Sequence, residues 1–282
     1  MVAMTDRTDQ GFDHLPPAAA GLGAAFSRPK WIAAGCVVAL TALGWAALAW
    51  TTAETNDVFR AICRPAIGAL TAPSVALTAL MWAAMVLAMM LPSAAPMILT
   101  YAEIADTAAR KKETIVSPLT LAGGYTVVWL GFAVPATVAQ LALSRAALLD
   151  SGIATSRDLF AGAIFIGAGL YQFSALKHAC LRQCQNPFAF FFTNWATTTR
   201  GVFRLGVKQG LYCLGCCWAM MLVTFAVGMM NIVWMAGLGI VMTAEKMGTG
   251  KRFTQAVGVA LILAGAAFVL NGFAAHWPGH GI

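Results

Sequence analysis

Long apolar runs separated by short polar segments dominate the chain. The runs occupy about 31–51, 74–100, 117–143, 159–176, 207–229, 231–247 and 254–275. Because a backbone in lipid must satisfy its own hydrogen bonds, runs of this length are expected to be membrane-spanning helices. The pattern predicts an all-α, polytopic transmembrane helix bundle of about seven helices. The count becomes six if the short run 231–247, joined to the run before it by a tight turn at Met230-Asn231, does not span.

The two ends of the chain are predicted to lie outside this bundle. Residues 1–30 are polar and rich in Pro, Ala and Gly, which predicts a disordered cytoplasmic tail. The run that begins at Trp31 is longer than the apolar core of a signal peptide, so we interpret it as a retained helix. Residues 31–275 are therefore predicted to form a single transmembrane helical domain, followed by a short tail at 276–282.

Composition and charge point to the same class of protein. Only 10% of the residues are charged and 60% are hydrophobic, whereas soluble domains carry about 25% charged residues. The chain has 18 Lys and Arg residues. Most of them lie before the first apolar run or at the C-terminal ends of the second, fourth and sixth apolar runs. Because such residues concentrate in cytoplasmic loops, the chain is predicted to be a multi-pass protein of the cell inner membrane with a cytoplasmic N-terminus. The charge of +7 lies in short loops, not on a soluble face, so nucleic acid is not an expected partner.

The segment 177–208 is predicted to be a basic cytoplasmic loop with one helix of its own. Asn186-Pro187 is typical of an N-cap followed by proline at the first helical position. Aromatic residues then recur at helical spacing and share one face: Phe188, Phe191, Phe192 and Trp195. The pattern favours either a helix lying in the membrane interface or aromatic side chains that pack on the bundle.

Small residues at four-residue spacing predict where helices approach closely. One pair is Ala163 with Gly167, and another is Ala260 with Ala264. These pairs bear on packing and carry no functional prediction.

Five of the seven cysteines form two groups that flank the basic loop. Cys213, Cys216 and Cys217 stand at i, i+3 and i+4 of a predicted helix, so their side chains share one face. Cys180 and Cys184 stand at i and i+4 and share a face if that segment is helical. The predicted topology places both groups on the cytoplasmic side of the membrane.

Methionine residues gather at the predicted inner end of the second helix, in 89-MMLPSAAPM-97. Met89, Met90 and Met97 are the candidate thioether ligands there. Pro92 and Pro96 are predicted to break the helix, which a membrane protein tolerates only where the backbone is buried in protein or wet. The cysteine thiols, the methionine thioethers and the break in the helix are thus expected at the same depth in the membrane, near its cytoplasmic side.

This concentration of sulfur predicts a soft-metal site. Cysteine and methionine ligands favour Cu(I), while a closed set of four thiolates favours Zn(II), so Cu(I) is expected ahead of Zn(II). A bound cation also offsets the charge of thiolates in a medium of low dielectric constant. The competing interpretation is that the sulfurs are small apolar groups filling helix contacts. A disulfide framework is disfavoured because the predicted compartment is reducing.

Charged residues near the cysteines complete the prediction. Lys177 and Arg182 are expected to balance excess negative charge at the site. Glu245 and Lys246 are expected to form an ion pair at the membrane interface, in preference to an acid beside the sulfur cluster.

Several of these segments together resemble a known family. The motifs 89-MMLPSAAPM-97, 176-LKHACLRQCQNP-187 and 210-GLYCLGCCWAMM-221, with 228-GMMN-231 and 245-EKM-247, are similar to those of the family described as predicted metal-binding integral membrane proteins. The resemblance covers roughly residues 70–275 and implies that the five motif cysteines are part of the family pattern. It also implies frequent histidine where this chain has Gln183 and Gln209. Since glutamine is a poor transition-metal ligand, either His178 takes that role or the site is made of sulfur only.

The sequence therefore predicts a membrane protein that handles a soft transition metal by sequestering it, handing it on or moving it across the bilayer. The partners considered are the lipid bilayer, a metal chaperone and a larger membrane complex. Two alternatives stay open: a membrane thiol-redox or assembly factor, and a structural subunit with inert sulfurs. Motifs for nucleotide binding and hydrolysis are absent from the sequence, so an enzyme is not favoured.

Overall fold

The computed structural model describes residues 29–53, 72–111, 115–145, 154–227, 232–248 and 250–274. Within these ranges the chain is helical throughout, without strands, as predicted. The helices are α1 Pro29–Ala53, α2 Ala72–Arg110, α3 Pro118–Arg145, α4 Ala154–Tyr171, α5 Ala175–Gln185, α6 Pro187–Thr193, α7 Thr199–Val227, α8 Ile232–Lys246 and α9 Gly250–Ala274. The predicted tails and the turn at Met230-Asn231 lie outside the described residues, except that 29 and 30 begin α1.

Four helices are long and apolar enough to cross a membrane. They are α2, α3, α7 and α9, and α4 with α5 makes a fifth if that pair, bent by 65°, counts as one span. The predicted count of seven is therefore not confirmed within the described residues. Helix α8 has only 15 residues, and the described apolar part of α1 is the short stretch Ala33–Ala46.

Helix α2 is continuous where the sequence predicted a break, so that prediction is wrong. Pro92 and Pro96 both lie inside the helix. Pro92 has no N–H, which removes the helical hydrogen-bond partner of the Ala88 carbonyl. The indole Nε1 of Trp45 on α1 donates to that carbonyl oxygen at 3.0 Å. A neighbouring helix thus satisfies the freed group, and α2 continues without an open gap.

The predicted loop 177–208 is mostly helical. The Ser174 side chain caps α5 by accepting from the Lys177 N–H at 3.1 Å. Helix α6 begins at Pro187 after Asn186, as the sequence predicted, although the Asn186 side chain makes no cap hydrogen bond. Helix α7 begins at Thr199, before the apolar run predicted from 207.

The aromatic face of this segment is split between protein and surroundings. Phe191 is buried with Phe190, whereas Phe188, Phe192 and Trp195 are exposed. Phe191 stacks near Tyr101 of α2, with ring centroids 5.4 Å apart. The Trp195 ring also lies near Tyr101, with centroids 6.0 Å apart, so two aromatic residues of the face pack on the bundle, as one predicted alternative has it. A position of this helix in the membrane interface stays a prediction.

Helices α3 and α7 approach closely at Gly124 and Gly206. A Cβ built on Gly124 would collide with the Phe203 carbonyl oxygen, and one on Gly206 would collide with the Leu121 carbonyl oxygen. Glycine is required on both helices because no side chain fits between the backbones. This contact fixes α7 against α3.

Helices α4 and α9 meet through glycines other than the small residues that the sequence singled out. Gly162 faces the Gly265 carbonyl oxygen, and Gly169 faces that of Gly258. Three of the predicted residues, Ala163, Gly167 and Ala260, are instead exposed. Ala264 is half-buried against the core. The spacing prediction is wrong for the other three residues because they lie on the outward faces of the two helices.

Helix α7 is the most interior of the four long apolar helices. In its most apolar stretch 61% of residues are buried, against 22% for α9. It packs against α3, α4, α5 and α8. The helix that carries three cysteines is therefore surrounded by protein, and the predicted sulfur ligands of α2, α5 and α7 belong to one buried cluster.

Candidate metal centre

Three cysteine sulfurs converge on one face of α7. The Sγ atoms of Cys213, Cys216 and Cys217 all lie within 4.8 Å of one another, and each residue is 1% exposed. Their i, i+3, i+4 spacing produces this cluster because such positions are neighbours on a helix surface. The Cys216 and Cys217 sulfurs are 3.3 Å apart, and each described cysteine is a free thiol. We call these three residues the cysteine trio.

The trio is close enough for one ion to bind all three sulfurs. A metal–thiolate bond is about 2.3 Å long, so two such bonds span about 4.6 Å. The separations within the trio are at most 4.8 Å, and the shortest, between Cys216 and Cys217, is 3.3 Å. Small rotations of the side chains are enough to bring the sulfurs to bonding distance.

Polar groups from three other helices surround Cys213. The Lys246 Nζ at the end of α8 donates to the Cys213 Sγ at 2.9 Å and to the Ser93 Oγ of α2 at 2.6 Å. The Tyr125 hydroxyl of α3 lies 2.9 Å from the same sulfur and donates to the Met90 carbonyl oxygen at 3.1 Å. Cys213 is therefore held in a polar pocket inside an otherwise apolar core.

The charged residues are arranged differently from the prediction. Glu245 and Lys246 do not pair at an interface; both are buried and point to different helices. The Glu245 carboxylate accepts from the Lys177 Nζ at 2.7 Å, so Lys177 does not serve the sulfurs as predicted. Arg182 is exposed and does not balance charge at the sulfurs either. The cation beside the sulfurs is Lys246.

The turn after α8 helps to place Lys246. Gly248 and Gly250 have φ angles of +84° and +82°, a conformation that glycine adopts readily and that commonly ends a helix. Helix α8 therefore stops directly after Lys246, and the chain reverses into α9.

Cys180 and Cys184 lie on α5, which packs along α7. The Cys184 side chain is a neighbour of Cys216. The Cys180 Sγ lies against Gly215, where an added Cβ would be only 2.6 Å from the sulfur. The predicted common face of Cys180 and Cys184 thus faces α7, although the two residues lie outside the mutually close trio.

His178 has a different environment from the cysteines. It is half-buried, and the charged groups that act on it are Lys251, Lys177, Arg182 and Glu245. No described sulfur joins it in a group of close ligands.

The glutamines at the positions where the family resemblance implies histidine also differ from each other. Gln183 is exposed on α5, whereas Gln209 is buried on α7 one turn before Cys213. The Gln209 Oε1 has no hydrogen-bond partner within the described residues.

The three candidate methionines are buried in the core that contains the trio. The Met89 side chain lies near Gly239 of α8. The Met90 carbonyl oxygen accepts from both Ser93 and Tyr125, which places the Met90 backbone beside the Cys213 pocket. Met97 lies further along α2, also buried.

Tyr125 and Ser93 were missed by the sequence analysis. Ser93 stands between two prolines in 89-MMLPSAAPM-97, and a lone polar residue in so apolar a segment was a usable signal. Tyr125 carried no such signal. Its side chain reaches a cysteine 88 positions later in the chain, and periodicity does not report contacts of that kind.

Comparisons with known proteins match this chain to a family model. Searches of curated proteins and of solved structures find nothing similar to this chain. The model of the family described as PpoB2, copper chaperone, matches residues 79–268, which is well over half of the chain. The matched region holds every candidate ligand and the Cys213 pocket, and the link to copper fits the resemblance to metal-binding membrane proteins. The chain belongs to the PpoB2 copper chaperone family.

Proposed function

We propose that this chain is an integral membrane protein that binds Cu(I) at Cys213, Cys216 and Cys217 and hands it on. Copper is the cargo of this function. The family match supports copper, and the buried trio supplies ligands of the type that Cu(I) prefers. Beyond the trio, which holds the ion tightly, the residues proposed to contact copper while it is being transferred are Cys180, Cys184, His178, Met89, Met90 and Met97.

The observation that carries the proposal is the burial of Lys246 against Cys213. An ammonium group taken out of water costs several kcal/mol unless negative charge compensates it. Within the described residues no carboxylate pairs with Lys246, and its two acceptors are a hydroxyl and a sulfur. Thiolates bound to a metal supply the missing negative charge. Sulfurs that only filled space would not require a buried cation beside them.

Cu(I) is favoured over Zn(II) by the number of ligands. Structural zinc sites hold four ligands in a closed tetrahedron, whereas the close group here has three sulfurs. A Cu(I) complex with the three thiolates has a charge of −2, and the Lys246 ammonium offsets one of these negative charges. The residues proposed to contact copper during transfer also include methionine thioethers, a ligand type that favours Cu(I).

The proposed location is the inner membrane, with the N-terminus and the cysteine groups on the cytoplasmic side. Lys208 of α7 is exposed and donates to Asn194 at 2.7 Å, so a polar boundary passes near it. Cys213 follows Lys208 by one to two turns, about 7 Å along the helix axis. A metal chaperone or a larger membrane complex is the proposed exchange partner on that side.

Metal analysis of the purified full-length protein tests the proposal. After anaerobic loading with Cu(I) under reducing conditions, we expect about one tightly held copper per chain for a three-sulfur site. Cys216→Ser with Cys217→Ser is expected to abolish it. The matched control is Cys36→Ser on α1, a cysteine outside the cluster. Equal copper in the double variant and the wild type would mean that the sulfurs are packing groups of a structural subunit.

Two further measurements refine the assignment. When the protein is loaded with equal concentrations of Cu(I) and Zn(II), it should bind copper. Preferential retention of zinc would reverse the proposed preference for Cu(I) over Zn(II). Movement across the bilayer is tested by copper uptake into vesicles, where equal uptake with and without the protein would exclude transport.

A thiol-redox role is the second candidate. The 3.3 Å separation of the Cys216 and Cys217 sulfurs is the observation that favours it, and oxidation of the pair to a disulfide would release two protons and two electrons. The two residues are adjacent in α7, with Cα atoms about 3.8 Å apart, which is shorter than a disulfide normally spans, so the oxidation requires α7 to distort. That reaction requires an electron acceptor to reach a pair that is 1% exposed, so we rank it below copper binding. Thiol trapping in cells discriminates: a pair that never changes oxidation state excludes redox cycling.

A further inference from the structure

A second pair of sulfurs lies between the trio and the outside of the bundle. Cys180 and Cys184 are 9% and 8% exposed, against 1% for each residue of the trio. The other side of α5 is open, with Arg182 and Gln183 exposed. Helix α5 is therefore an element that presents one face to the trio and another to the surroundings.

The two groups of sulfurs meet at Cys216. This residue has Cys184 of α5 as a neighbour on one side and the Cys217 sulfur at 3.3 Å on the other. An ion held by Cys184 and Cys216 can reach the trio without leaving Cys216. A shared sulfur of this kind allows a metal to move by small steps while it stays bound.

We propose that Cys184, supported by Cys180, forms an outer docking position through which Cu(I) enters and leaves the trio. The inference rests on the proposed function and adds the route that the ion takes. In the inward step the Cu–S bond to Cys216 persists, a bond to Cys217 forms and the bond to Cys184 breaks. The Cys184 thiolate takes up a proton, Cys217 gives one up, and copper remains Cu(I) throughout.

Gly215 is what allows α5 to bring its sulfurs this close. A Cβ at this position would lie 2.6 Å from the Cys180 Sγ, so any side chain there forces the Cys180 sulfur to move from its present position. The Tyr171 hydroxyl at the end of α4 donates to the Gly215 carbonyl oxygen, which fixes the register between α4 and α7. The Cys180 sulfur can thus lie against α7 because position 215 is glycine and has no side chain.

The experiment measures how fast copper leaves the loaded protein. Full-length wild type and variants are loaded with Cu(I) anaerobically in detergent, and transfer to the chelator bathocuproine disulfonate is followed by absorbance. We expect Cys184→Ser to keep its bound copper and to transfer it about tenfold more slowly, which corresponds to roughly 1.4 kcal/mol in the barrier. Gly215→Ala, which keeps every sulfur, is expected to slow transfer as well. Gly131→Ala on α3 is the matched control, because a Cβ there meets nothing within 4 Å.

The outcomes separate this route from the proposed function. Transfer by Cys184→Ser that is as fast as wild type, or faster, overturns the route while leaving copper binding in place. Loss of bound copper from Cys184→Ser also overturns it, since Cys184 would then be a permanent ligand. Wild type that binds no copper removes the proposed function itself. If Cys184→Ser does not fold, Gly215→Ala decides between slowed and unchanged transfer.

Discussion

Among single residues, Lys246 has the strongest effect on the chemistry proposed for the trio. Its ammonium group bonds a sulfur of α7 and a hydroxyl of α2 from a position that is 6% exposed. Because the core around it is apolar, the charge stays strong at short range and is poorly screened. Lys246 therefore stabilises an anionic metal–thiolate complex more than it stabilises neutral thiols.

Replacing Lys246 by methionine tests this role. Lys246→Met keeps the length of the side chain and removes the charge and its hydrogen bonds, each charge-assisted bond being worth about 1.5–3 kcal/mol. We expect the dissociation constant for Cu(I), measured by chelator competition, to rise between about tenfold and a hundredfold. Lys251→Met removes an exposed charge from the neighbouring helix and serves as the control. Equal affinities of the two variants would contradict a special role for Lys246.

Sequence periodicity predicted the trio but not its surroundings. The i, i+3, i+4 spacing of three cysteines is a local property, and helical geometry turns it directly into a shared face. The contact of Lys246 with Ser93 joins residues 153 positions apart, and it depends on how α8 lies against α2. Local spacing contains no information of that kind, so Lys246 was expected at an interface and is instead buried beside a sulfur.

At the scale of elements, the end of α8 connects α5, which carries Cys180 and Cys184, with α7, which carries the trio. Glu245 bonds Lys177 of α5, while the next residue, Lys246, bonds Cys213 of α7. The Gln185 side chain adds a bond from α5 to the Glu245 carbonyl oxygen at 2.7 Å. Helix α8 is therefore bonded to both α5 and α7. The position of the Cys180 and Cys184 pair relative to the trio thus depends on α8.

Breaking the Lys177–Glu245 pair should destabilise the bundle. Glu245→Gln leaves the Lys177 ammonium buried without a compensating charge, which typically costs about 3–5 kcal/mol. We expect a clear drop in melting temperature in detergent. The double variant Lys177→Met with Glu245→Leu should recover much of the loss, because it leaves no buried charge unpaired.

An exposed ion pair on α2 supplies the control for that experiment. Asp106 and Arg110 are 3.1 Å apart with the Arg110 side chain 69% exposed, and such surface pairs contribute at most about 0–1 kcal/mol. Asp106→Asn should leave the melting temperature nearly unchanged. A drop as large as that of Glu245→Gln would show that charge loss in general, and not burial of the pair, sets the stability.

The glycine contact between α3 and α7 gives another prediction at this scale. Gly206→Ala places a Cβ against the Leu121 carbonyl oxygen, so α7 must shift away from α3. Overpacking of this kind costs about 1–3 kcal/mol, and we expect a lower melting temperature. Gly131→Ala, on the open face of α3, is the matched control and should be neutral or slightly stabilising. Indistinguishable melting of the two variants would mean that the helices part without cost.

The sequence predicted the helices, but it did not predict that α2 is continuous through its prolines or which faces of α4 and α9 are in contact. Apolar length predicted helices near the observed ones because burial and backbone hydrogen bonding both favour helix there. The continuity of α2 was missed because it depends on Trp45, a residue of another helix that bonds the carbonyl freed by Pro92. The α4–α9 contacts were misplaced for a related reason, since four-residue spacing does not tell which face of a helix meets its partner.

For the whole molecule, the interior position of α7 and the apolar outer surface fit a bundle surrounded by lipid. Large apolar side chains such as Val134, Leu263 and Leu270 are more than 60% exposed on α3 and α9, which a soluble monomer rarely tolerates over so wide an area. The sulfur ligands lie on the protected helices of the bundle. Water is thereby kept from the proposed copper site, and α5 is left as the proposed route to it.

Orientation is the property of the whole molecule that charge alone predicts. The segment after α2 is basic, which predicts that it lies on the cytoplasmic side. If α3 spans the membrane, its two ends lie on opposite sides. Green fluorescent protein fused after Lys111 should therefore fluoresce, whereas alkaline phosphatase, which needs disulfides formed outside the cytoplasm, should be active only when fused after Arg145. The reverse pattern would place α5 and the cysteine groups on the outer side, so copper would have to be exchanged with partners outside the cell membrane. Equal signals at both sites would mean that α3 does not cross the bilayer, and the boundary drawn near Lys208 would lose its basis.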